Sequence, residues 1–171
     1  MRNKTKKLAL LGLTTAIALV FAYVEALLPP IVSAIPGIKL GLPNIVIIFV
    51  LYKMGVFEAA SVSLVRMLVV SLLFGNPMTF AYSLAGATLS LIAMALLKKL
   101  DVFSIVGVSV AGGVLHNVGQ ILLAMAVLGT AELGYYLIVL SIAGTVAGVF
   151  IGLCGGFAVK RINLGKSEKN K

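Results

Sequence analysis

The sequence predicts an all-α integral membrane protein: a bundle of six transmembrane helices with both termini in the cytoplasm. Three observations carry this. Of 171 residues, 61% are hydrophobic and only 11% charged, whereas soluble domains run nearer half apolar and a quarter charged. The apolar residues fall into runs long enough to cross a bilayer, which takes about 20 residues as a helix. The basic residues lie mostly between those runs, with 14 Lys and Arg against 5 Asp and Glu. In a soluble chain that excess would suggest nucleic acid. Between apolar runs it reads as a topology signal, and no nucleic-acid partner is expected.

The predicted spans are 8–28, 38–52, 56–74, 78–97, 103–128 and 134–159 within a single domain, 1–171. The first follows Arg2, Lys4, Lys6 and Lys7. Its apolar run is too long for a signal-peptide core, so it is expected to be retained. With that basic start in the cytoplasm, Lys53, Lys98, Lys99, Lys160, Arg161, Lys166, Lys169 and Lys171 also fall inside. Twelve of the 14 basic residues are then cytoplasmic, as the positive-inside rule requires. Lys39 falls outside and Arg66 within a span. The second span is the shortest and has Pro43 near its start.

Connections are short, which leaves no room for a soluble catalytic domain. The longest, 29–43, holds four of the five prolines and stays apolar. Proline and glycine break helices. Such a segment either dips into the bundle, where protein or a wet cavity must surround irregular backbone, or lies on the headgroups. Small residues recur every fourth position on the first span (Thr14, Ala18, Ala22, Ala26) and on the last (Gly144, Gly148, Gly152, Gly156). That spacing lets helix backbones approach in lipid, against a neighbour in the same chain or in a partner protein. The one cysteine, Cys154, excludes an internal disulfide and reads as a small packing residue.

Charged and amide side chains inside a membrane cost enough to be functional candidates by default. Arg66 falls mid-span, and Glu25 near the outer end of the first span. His116, Asn117 and Gln120 occupy the middle and outer half of the fifth, with His116 and Gln120 one turn apart. Asn76 and Tyr82 flank the outer turn between the third and fourth spans. Lys39 and Asn44 belong to the outer segment and its junction with the second. By depth these residues gather in the outer half, which predicts an outward-opening polar cavity. Arg66 and Lys39 favour an anionic ligand, because arginine matches planar oxyanions. Asn44, His116 and Gln120 offer hydrogen bonds to its polar edges, with Glu25 as partner or gate and Asn76 and Asn117 as further ligand-binding candidates. Arg66 paired with Glu25, and His116, Asn117 and Gln120 as interhelical glue, are the structural alternatives. A metal at His116 is not expected, since neither a second histidine nor a nearby cysteine exists.

The sequence has no G-x-x-x-x-G-K-[ST] phosphate loop, no G-x-S-x-G and no H-E-x-x-H. Its acidic residues are too scattered for an obvious Mg²⁺ site. Binding or transport is expected rather than catalysis, with no cofactor bound directly.

The stretches PGIKLGLPNIV (36–46), SLLFGN (71–76), YSLAGA (82–87) and GVLHNVGQ (113–120) resemble the Gx transporter family, also described as heptaprenyl diphosphate synthase component I. The resemblance covers nearly the whole chain. It departs at Pro43, where alanine would be expected before the asparagine. That family is similar to the substrate-binding (S) components of energy-coupling factor transporters. The resemblance implies a six-helix S-component fold gated by the outer segment. It implies a transmembrane coupling protein met through A-x-x-x-A pairs, here Ala18/Ala22 and Ala22/Ala26. It also implies two cytoplasmic ATPases that use ATP, and a vitamin-like or isoprenoid-related ligand. The synthase description implies, alternatively, an accessory membrane subunit, because the paired aspartate-rich motifs of prenyl synthases are missing.

Overall fold

The computed structural model describes residues 2–27 and 41–164. The helices are α1 (Arg2–Leu27), α2 (Pro43–Lys53), α3 (Val56–Phe74), α4 (Pro77–Leu100), α5 (Ile105–Leu128) and α6 (Tyr136–Arg161), with a 3-10 turn at Ala131–Tyr135 before α6. Among the described residues there is no strand. Among the described residues, five of the six helices are long and apolar enough to cross a membrane, and the chain is a multi-pass membrane protein.

The second element departs from the expected span. Helix α2 has 11 residues, about 16 Å at 1.5 Å per residue, which is half a bilayer core. Both limits are written in the backbone. Pro43 occupies its first turn, where a missing N–H costs nothing. At the other end Gly55 takes φ +136°, a conformation side chains rarely adopt, and turns the chain straight into α3. Being short, α2 is surrounded rather than lipid-facing: every residue from Val46 to Leu51 is buried. It packs on α1, α3 and α6 and forms the centre of the core.

Several contacts bring the basic segments to one end of the bundle. Lys7 of α1 forms an ion pair with Glu58 of α3. Lys98 near the end of α4 donates from Nζ to the Leu51 carbonyl at 2.6 Å and lies over the Tyr52 ring at 5.2 Å. A cation on the last carbonyls of a helix satisfies orphan acceptors and opposes the helix dipole. Lys98→Met should therefore destabilise the protein by about 2 kcal/mol, the usual worth of a hydrogen bond to a charged group. Thermal unfolding in detergent reads it, and an unchanged midpoint would refute the clamp.

The small-residue stripes face inward. Thr14, Ala18 and Ala22 are buried, Ala18 at 0% and Ala22 at 8% exposure, and Ala26 alone of the four is exposed. Ala18 and Ala22 are core residues in this conformation and are not open to a partner helix; of the two A-x-x-x-A pairs only one member presents a free surface. Gly144, Gly148, Gly152 and Gly156 are likewise buried. Gly144 and Gly148 lie against the α5 backbone at Gly113 and Val110, Gly152 against Val106, and Gly156 near Ile105. Their neighbour is α5, not a second protein.

Candidate functional site

The polar site centres on Arg66 of α3, with side chains of α1 and α5 within electrostatic reach. Arg66 lies in the middle of α3. Its Nε is buried and has no hydrogen-bond partner among the described residues. Glu25 lies within electrostatic reach of Arg66, and Arg66 within reach of His116. Glu25 is not in salt-bridge contact with Arg66: among the described residues the one ion pair is Lys7 with Glu58. Its Oε1 instead accepts the Gly41 N–H at 2.5 Å, which ties the chain two residues before α2 to α1.

His116 and Gln120 share the α5 face that packs on α4. A methyl placed on Gly86 would meet the His116 carbonyl at 2.6 Å, the Gln120 Cγ at 2.9 Å and the His116 ring at 3.1 Å. Glycine at 86 leaves room for both side chains at the contact between the helices. Asn44, in the first turn of α2, and His116 line a cavity of about 30 Å³ together with Ser63, Ser90, Ser109 and Met94. The structure thus brings Arg66, Glu25, His116, Gln120 and Asn44 to one region of the bundle.

Two expected lining residues have other work. Asn117 turns to α6, and its Nδ2 donates to the Leu140 carbonyl at 2.7 Å; this is interhelical glue. Asn76 is exposed and caps α4, its Oδ1 accepting from the Thr79 N–H at 2.8 Å and the Thr79 hydroxyl at 3.0 Å, as N-cap residues do. Lys39 and the segment predicted to gate the site lie outside the described residues. Among the described residues no group of three or more His, Cys, Asp or Glu side chains is placed to hold a metal.

The three buried serines were not among the expected residues. A helical-spacing signal existed: Ser63 is three residues before Arg66, Ser109 seven before His116 through Gly112, and Ser90 four after Gly86, all same-face offsets. Serine in a membrane helix is a weak signal, since its hydroxyl usually bonds to the carbonyl four residues back.

Fold and site together define a class: an all-α, multi-pass membrane protein with a charged and polar cluster inside the bundle. The family model described as heptaprenyl diphosphate synthase component I matches residues 14–158, and the chain belongs to that family. No curated protein and no solved structure matches the chain significantly.

Proposed function

We propose that this chain is the substrate-binding membrane subunit of a transporter of energy-coupling factor type. It takes a small anionic or amphipathic molecule, vitamin-like or isoprenoid-related, beside Arg66. One observation carries the reading: Arg66 lies mid-helix with a buried guanidinium Nε that has no described partner. Burying a charge without partners is costly, and an oxyanion is what a guanidinium fork fits. Glu25 and His116 lie beside it to set orientation, and the aliphatic walls suit an apolar body.

In this reading the basic end of the bundle, with both termini, faces the cytoplasm across the cell membrane. The chain performs no catalytic step and holds no cofactor. ATP is used by partner ATPases, reached through a transmembrane coupling protein. With Ala18 and Ala22 in the core, that protein would meet other residues of α1; Leu13, Ile17 and Val20 are exposed there.

The family description supports a second reading, an accessory membrane subunit that works with a soluble prenyltransferase. Two measurements separate them. Affinity purification from native membranes recovers ATPases and a coupling protein in the first case, a prenyltransferase in the second. Thermal shift with a short prenyl diphosphate, and separately with a vitamin-like carboxylate, reads the site. At about 100 Kd a true ligand stabilises by about 2.7 kcal/mol; Arg66→Gln should abolish that shift and Arg66→Lys keep part of it. Shifts that are equal in wild type and Arg66→Gln would sink the anion site.

A further inference from the structure

We infer that the cavity flanking the Arg66 cluster is an internal water site, with three serine hydroxyls and Asn44 as its walls. Five hydroxyls on the described helices share one habit. Thr14, Thr15, Ser61, Thr88 and Thr145 each bond to the carbonyl four residues back, at 2.7–2.9 Å. That is the ordinary habit of hydroxyls in membrane helices.

Ser63, Ser90 and Ser109 do otherwise. All three are buried, yet none bonds to a described residue. They come from three different helices, α3, α4 and α5, and converge on one cavity. Their oxygens open onto that space rather than being sealed by packing. Three buried hydroxyls that forgo the nearest carbonyl need another partner, because a buried polar group without one is strongly disfavoured.

Water meets the geometry. A cavity needs about 10–15 Å³ to hold one molecule, and a buried water takes two to four polar partners. The 30 Å³ here admits about two. Ser63, Ser90 and Ser109, with Asn44 and His116 at the rim, supply more than enough donors and acceptors. Purely apolar cavities of this kind stay dry; this one is polar on every helix that walls it except α6, which contributes Ile151. The hydrated space runs from His116 toward Met94, six residues before the end of α4, so the polar interior reaches past mid-bundle on the side of the basic end.

Met94 provides the readout. It lines the cavity at 6% exposure, while Met67, buried to 4%, does not line it. Short X-ray pulses on the full-length protein in lipid nanodiscs generate hydroxyl radicals from water where it sits, and mass spectrometry scores the oxidised methionines. Oxidation follows access to the radical source, so Met94 should label about tenfold faster than Met67. In H₂¹⁸O the Met94 sulfoxide should carry the heavy oxygen. Ser109→Val, which fills space and removes a hydroxyl, should lower Met94 labelling toward that of Met67; Ser90→Val should do the same. Equal labelling of Met94 and Met67 in the wild-type protein, which requires no variant to fold, overturns the inference. So does Met94 labelling that both valine variants leave unchanged.

Discussion

Gly148→Ile should leave no monodisperse protein on size-exclusion chromatography after detergent extraction, while Gly12→Ile elutes as wild type. The two glycines differ in what a side chain would meet. At Gly148 an added Cβ would lie 2.6 Å from the Val110 Cα and 3.0 Å from the Ser109 carbonyl oxygen, and at Gly12 nothing lies within 4 Å. Alanine tests the same point more gently, with two effects opposed. Helix propensity favours alanine over glycine by about 1 kcal/mol. Overpacking costs about 1–3 kcal/mol, and more where the obstruction is backbone and cannot rotate away. At position 148 the clash wins, and Gly148→Ala should lose about 2 kcal/mol net. At position 12 only propensity acts, and Gly12→Ala should be neutral or slightly stabilising. A Gly148→Ile protein as stable as Gly12→Ile would mean that α5 and α6 do not pack backbone to backbone.

The second large effect is expected from Glu25→Gln. Glutamine keeps an oxygen to accept the Gly41 N–H but removes the negative charge within reach of Arg66. Removing one partner of a buried contact pair costs about 3–5 kcal/mol. Glu25 and Arg66 are not in contact and Glu25 is partly exposed, so a smaller loss, about 2 kcal/mol, is expected here. The double variant Glu25→Gln/Arg66→Gln should recover most of it, since the strain comes from the uncompensated charge and not from the missing carboxylate. Unfolding midpoints of the wild type, the two single variants and the double variant measure the coupling. Additive losses would show that Glu25 and Arg66 are not coupled.

Much of the fold was legible. Helix α3 runs Val56–Phe74, and α1 begins in the basic start, ahead of the apolar run. Helix α2 is the informative exception. Read by length of apolar run, it looked like a short crossing that began at residue 38. Its backbone shows an 11-residue helix, closed by Pro43 on one side and Gly55 on the other. The proline signal was present in the sequence; its depth in the bundle was not. The site was legible in part. Arg66, Glu25 and His116 stood out in the sequence because charge inside a membrane is expensive wherever it points. Asn117 and Asn76 were grouped with them by the same rule and have other partners, Leu140 and Thr79. Depth along a helix follows from residue number, but rotation about the helix axis does not.

That distinction sets the limit for the whole chain. Membrane class, the number of helices and the gathering of basic residues at one end were determined by the sequence alone, because hydropathy and charge are properties of each segment and sum along it. Which face of each helix turns inward was decided only by the tertiary structure. In water an apolar stripe would reveal that face. In lipid every face is apolar, the bilayer is as good a solvent as the core, and burial follows from close packing rather than polarity. Ala18 and Gly148 therefore looked equally suited to a partner or to the bundle, and three serines looked ordinary, until their neighbours were in place.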